Sequence, residues 1–155
     1  MIEDFLRWLH VVGATVLLGT GAGIAFFMVM AARTRDPKTI AKVAAIVVIA
    51  DLVFTATAVV AQPVTGWMLA LRVGWPLVHG WLAWAQVLYV LVGLCWLPVV
   101  FIQIRLRDLA AGAAARGEPL PAAFDRIYRI WFALGIPAFA GVLAILWLMI
   151  SRPPL

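Results

Sequence analysis

Residues 40–71 read IAKVAAIVVIADLVFTATAVVAQPVTGWMLAL, an apolar run longer than the roughly 20 residues a helix needs to cross a bilayer. Its polar members keep step. Asp51, Thr55, Ala58, Gln62 and Thr65 recur at intervals of four, three, four and three, which puts them on one face of a helix. Lipid cannot satisfy such groups, so that face predicts contact with protein and the opposite face contact with lipid.

Working outward, three more runs of the same kind appear, giving spans over about 5–32, 40–71, 81–104 and 127–150. The Arg, Lys, Asp, Gly and Pro clusters fall between them. The chain has 155 residues, 66% hydrophobic and 12% charged, with a mean hydropathy of +1.07, too little polar surface to clothe a soluble globule. Its opening, Met1-Ile2-Glu3-Asp4, is acidic where a secretory signal would be basic, so the first span is expected to stay as a helix. Asp36-Pro37 punctuates the first connection. The longest connection, Arg105 to Arg126, reads as an Ala-rich loop with Glu118-Pro119-Leu120-Pro121 setting up the last helix. Short connections favour antiparallel neighbours. The expected fold is therefore all-α: a polytopic membrane protein, one domain over 1–155, built as an antiparallel four-transmembrane-helix bundle.

Charge gives the orientation. Arg33, Arg35, Lys38, Lys42, Arg105, Arg107, Arg116, Arg126 and Arg129 flank the first and third connections, against Arg7, Arg72 and Arg152 on the other side. This asymmetry in short loops predicts both termini outside and the basic connections in the cytoplasm. Trp8, Trp67, Trp75, Trp81, Trp84 and Trp147 cluster toward the outer ends as interfacial anchors, while Trp96 and Trp131 do not. The net charge of +5 is thus spent on topology, and with no base-stacking surface it does not point to nucleic acid. The single cysteine, Cys95, lies deep in the third span and reads as a core packer.

The other spans carry polar seams of their own. Gln86, Tyr89, Gly93, Trp96, Val100 and Gln103 line one face of the third, and His10, Gly13, Leu17 and Thr20 one face of the first. At 1.5 Å per residue, His10 is a turn or two below the outer surface and Gln62 roughly 15 Å below Arg72, so His10, Gln62, Gln86 and Tyr89 ring one outward-biased cavity. Asp51, roughly 18 Å from the cytoplasmic start of its span, lies near the midplane.

An ionisable residue at membrane depth is costly without a partner, so these are the candidate functional groups. His10 reads either as an axial ligand to haem iron or as a neutral histidine bonded to Gln62, Tyr89 or a backbone carbonyl. His79, in the outer connection, is the one other histidine available as a metal ligand. Neither belongs to a zinc-spaced set. Asp51 reads as a proton carrier or substrate anchor, or as a hydrogen-bonded group joining two helices. Gln62-Pro63 removes a helical hydrogen bond and predicts a kink beside the cavity. Gly19-Thr20-Gly21-Ala22-Gly23 contains a Gly-x-x-x-Gly spacing and predicts close helix packing.

His10-Val11-Val12-Gly13, Leu18-Gly19-Thr20-Gly21, Ala50-Asp51-Leu52-Val53-Phe54-Thr55, Gln62-Pro63-Val64-Thr65-Gly66, Trp96-Leu97-Pro98-Val99 and Pro137-Ala138-Phe139 run along nearly the whole chain. Together they resemble an uncharacterised bacterial family of integral membrane proteins, a domain of unknown function. That family is distantly similar to CopD-type copper-resistance proteins and HemJ-type protoporphyrinogen oxidases. The resemblance implies a bacterial inner-membrane location and a haem-linked histidine at the position of His10. The lysine those oxidases carry in the third helix has no counterpart in 81–104, so haem binding carries over and protoporphyrinogen oxidation does not. Copper handling would need a Met- or Cys-rich cluster, which Met68, Met149 and the histidines do not form.

The sequence therefore predicts a small cytochrome b-like or redox accessory protein, active in electron transport, that binds haem b or a quinone. His10, Gln62, Gln86, Tyr89 and Asp51 would hold the cofactor, and His10 and His79 are the candidate metal ligands. A carrier or channel for a small solute or metal ion, and a structural subunit of a larger membrane complex, are the other readings. The partners expected are the lipid bilayer and a larger redox complex or further copies of the chain.

Overall fold

The computed structural model describes residues 1–154. Four helices account for nearly all of them: α1 (Ile2–Thr34), α2 (Pro37–Val73), α3 (Gly80–Arg116) and α4 (Ala122–Ser151). Each is long and apolar enough to span a bilayer, and no strand occurs among the described residues. The shortest, 30 residues, is about 45 Å long.

The turns follow from their residues. Arg35 takes the left-handed conformation that closes α1, and Asp36 caps α2 by accepting from the backbone N–H of Lys38 and Thr39, with Pro37 in the first turn. Gly74 and Gly117 close α2 and α3 at positive φ, which glycine adopts without strain. The expected 105–126 loop is mostly helix: α3 runs on to Arg116 and only residues 117–121 are non-helical before α4. Alanine is the best helix former, and Leu106, Ala110 and Ala113, spaced by four and three, bury a continuous face; the first true breaker is Gly117.

The bundle has two unlike ends. Where the 35–36 and 117–121 turns meet, Met28, Ile40, Ala44, Leu106, Ala110 and Phe124 are completely buried in one cluster. Phe124, Tyr128 and Trp131 stack in sequence beside it, with centroids 6.2 and 5.6 Å apart. Arg35 grips Asp125 with two parallel bonds of 2.5 and 3.1 Å, tying the α1–α2 turn to the first turn of α4. At the other end, which carries residues 74–79 and Ser151, residues Ala56–Val73 of α2 scarcely approach α3, and α4 touches α1 very little along its whole length, so the helices stand apart. These are the Phe124 end and the His10 end below.

The outward surface is apolar: Phe26, Phe27, Ile46, Leu71, Phe101 and Ile150 are all more than half exposed, as lipid contact requires. The buried polar set is Asp51, Thr55, Gln62, Thr65 and Gln103, so the second-span seam is the interior face. In the third span the buried position beside Trp96 is Val99, with Val100 only partly covered.

A cavity at the splayed end of a membrane bundle

Two glycines let α1 and α2 approach at the His10 end. A Cβ on Gly13 would overlap the Gln62 amide, and one on Gly66 would lie 3.0 Å from His10 Cε1. Through these gaps Gln62 Nε2 donates to the His10 carbonyl at 2.7 Å, while His10 Nδ1 meets Thr65 Oγ1 at 2.9 Å. The Thr65 hydroxyl also lies 2.8 Å from the Ala61 carbonyl. With its single proton given to that carbonyl, Thr65 accepts from His10 Nδ1–H, and Nε2 keeps its lone pair. Nε2 has no hydrogen-bond partner among the described residues. The ring's side-chain partner is thus Thr65; of the partners expected for it, the Gln62 and Tyr89 side chains do not meet the ring, while the backbone carbonyl of Gln62 does lie against it. The close-packing glycines are Gly13 and Gly66 between α1 and α2, and Gly141 of α4, where a Cβ would lie 2.5 Å from Val92 Cγ2 on α3; Gly19, Gly21 and Gly23 face open space.

Pro63 lies inside α2 without breaking it. Proline at that position leaves the carbonyl four residues earlier, that of Val59, without its helical donor. The Tyr89 hydroxyl from α3 donates to that same carbonyl. The irregular stretch of α2 lies earlier, a π-helical turn over Asp51–Thr55 in which the Ala56 N–H reaches the Asp51 carbonyl. Trp96 Nε1 donates to Asp51 Oδ1 at 3.2 Å, joining α2 to α3. Gln86 accepts from Trp67 Nε1 at 3.3 Å and donates to the Leu77 carbonyl at 2.5 Å, pinning the 74–79 connection.

All four helices wall one cavity of about 690 Å³, within the ordinary range for cofactor sites. His10, Gln62, Gln86, Tyr89 and Asp51 line it together, and its remaining walls are largely apolar. His79 does not line it; it is exposed and precedes the first turn of α3. Gly21, Gly93 and Gly135, on three different helices, border the cavity with nothing within 4 Å of where a Cβ would stand. α1 and α4 both line the cavity and make few contacts with each other. Toward the Phe124 end the cavity stops at the buried cluster.

Sequence reading missed Thr65 as the histidine's partner, and Trp131, whose Nε1 is buried at the cavity without an acceptor. The i, i+3 spacing of Gln62 and Thr65 was the available signal for the first. Among the described residues no three His, Cys, Asp or Glu side chains cluster as metal ligands.

Outside the spans, hydrogen bonding to the Arg35 guanidinium holds the Asp125 carboxyl below the usual carboxylate range, and burial opposes it weakly. The Thr39 hydroxyl does the same for Asp36.

Fold and cavity define a multi-pass α-helical integral membrane protein with an internal apolar site. The chain belongs to the DUF2269 family of predicted integral membrane proteins, whose model matches residues 4–153. No match was found among curated proteins or solved structures.

Proposed function

We propose that this protein is a small redox membrane protein that binds haem b through His10 in the cavity at its His10 end. The observation that carries the reading is the imidazole itself. Its Nδ1 is tied to Thr65, which orients the ring, and its Nε2 lone pair is left free at the cavity wall.

The residues present fit such a group. Gly21, Gly93 and Gly135 leave room on three walls for a flat macrocycle to approach backbone. Gln62 fixes the height of the His10 backbone, and Tyr89 stabilises the proline turn opposite, so the site is held by the scaffold rather than by the ligand. Met149, which lines the cavity from α4, is the thioether available to it. Bound haem would supply one-electron redox chemistry in an environment of low polarity. The buried plug at the Phe124 end favours a blind binding cavity over a channel.

The charge asymmetry supports an orientation with the His10 end outside, in a bacterial inner membrane. In a Cys95→Ser background, Val78→Cys should label with an impermeant thiol reagent from outside and Glu118→Cys should not. Protein purified in mild detergent from haem-replete cells should show a b-type spectrum that His10→Ala removes. Colourless wild-type protein that cannot be reconstituted would defeat the haem reading.

A further inference from the structure

The bases at the Phe124 end outnumber the acids that answer them. Asp36 caps α2, Asp108 pairs with Arg107, Glu118 with Arg116 and Asp125 with Arg35. Arg33, Lys38, Lys42, Arg105, Arg126 and Arg129 are exposed and form no ion pair among the described residues. Two of these free bases converge where α1 meets α4. Asp125, Tyr128 and Arg129, at spacings of three and four, share one face of α4. Arg35 of α1 is bonded to that face, the charge of Arg33 reaches the Tyr128 hydroxyl, and the charge of Arg129 reaches the Asp125 carboxylate. Three guanidiniums thus stand about one carboxylate, which Arg35 already holds. Tyr128 is stacked between Phe124 and Trp131, so its ring and hydroxyl are fixed in place. We propose that this seam between α1 and α4 binds one anionic phospholipid, with Arg33, Arg129 and the Tyr128 hydroxyl on its phosphate.

The partner follows from what lies on either side of the bases. A phosphate diester carries one negative charge and several acceptor oxygens, which guanidinium groups and a phenol O–H can engage together. The same face of α4 continues away from the charges as Phe132, Ile136, Phe139 and Leu143, all apolar and all exposed. From Arg129 to Phe139 is ten residues, a rise of about 15 Å, or half of a hydrocarbon core about 30 Å thick. Charge at one end of a stripe and one leaflet's depth of apolar surface below it match a diacyl phospholipid, whereas a free phosphate uses only the charged end. Headgroup charge selects among lipids. Once Arg35 and Asp125 cancel, two positive charges remain, and they repel the cation of a zwitterionic headgroup while attracting an anionic one. This site lies at the Phe124 end and does not rest on haem at His10.

The test is native mass spectrometry of the full-length protein in mild detergent, titrated with dimyristoyl phosphatidylglycerol or with its zwitterionic phosphatidylcholine counterpart. One phosphatidylglycerol per chain should saturate first, about tenfold more tightly than phosphatidylcholine. The double variant Arg33→Gln, Arg129→Gln should weaken that first lipid about thirtyfold, and Tyr128→Phe a few-fold. Lys42→Gln with Arg105→Gln removes the same charge from α2 and α3 and should leave it unchanged. Equal losses in the two double variants would overturn the inference, since they would mark diffuse attraction rather than a site. It would also be overturned by the absence of a saturable first lipid, by equal affinity for the two lipids, or by displacement of phosphatidylglycerol with millimolar inorganic phosphate, which would make the ligand a free anion.

Discussion

The two ends of this bundle are made from the same kind of residue and do opposite things. At the Phe124 end, Met28, Ile40, Leu106 and Phe124 interlock and are wholly buried, with alanines at 44, 110 and 113 letting the helices close on one another. At the His10 end the interior positions are glycines, polar groups and large side chains that stop short of each other, and a cavity remains. In a bilayer, lipid tails are as apolar as leucine, so burial alone does not drive helices together; close van der Waals packing and interhelical hydrogen bonds do. One end is held by the first device and the other by the second. The lesson is that tight packing and the candidate site occupy separate halves of the molecule.

The largest effect that would break this comparison lies in the plug. Phe124→Ala should cost about 3–5 kcal/mol in reversible detergent unfolding, because the void it leaves is walled by side chains that cannot collapse. Leu146→Ala, on the cavity wall, should cost about 1 kcal/mol or less, since it only enlarges an existing space. Similar losses at the two positions would mean that the ends are packed alike.

A smaller effect sharpens the account of the polar end. Gly13→Ala drives a methyl group into the Gln62 amide and breaks its bond to the His10 carbonyl, for an expected loss of about 1–3 kcal/mol. Gly19→Ala meets open space and should be neutral or stabilising by up to about 1 kcal/mol through helix propensity. Thermal midpoints of the two variants in the same detergent decide it; a harmful Gly19→Ala would restore the Gly-x-x-x-Gly run as a packing face.

The smallest effect is electrostatic and belongs to the Phe124 end. The Asp125 carboxyl is held below its ordinary value by Arg35, so the pair's contribution is complete above the unfolded value of about 3.9 and is lost as pH falls through the lower folded value. Both side chains are about half exposed, so solvent screening limits that contribution to a few tenths of a kcal/mol. Arg35→Gln should remove a small stability difference between pH 6 and pH 3 in low salt, and high salt should remove it in the parent.

Much of this was legible in the chain. Periodicity placed Asp51, Thr55, Ala58, Gln62 and Thr65 on one interior face, and all five are buried. Span lengths and polarity gave the four helices. What periodicity does not carry is the identity of partners across helices. Thr65 rather than Tyr89 meets His10 because glycines at 13 and 66 set the rotation and spacing of α1 against α2. At Pro63 the helix runs on unbroken, and a hydroxyl 26 residues further along the chain, on α3, takes up the freed carbonyl, a partner that periodicity does not name. The 105–116 helix was missed because its buried alanine face is too weakly apolar to read as a span, yet small enough to pack tightly.

The measurement that bears most directly on the central claim is an imidazole titration of haem-reconstituted His10→Ala protein, followed in the Soret band against the parent. If Nε2 of His10 is the ligand and the cavity is open beside it, His10→Ala alone should bind haem weakly or not at all, and added imidazole should restore the parent's b-type spectrum. A parent-like spectrum in His10→Ala without imidazole would contradict the account.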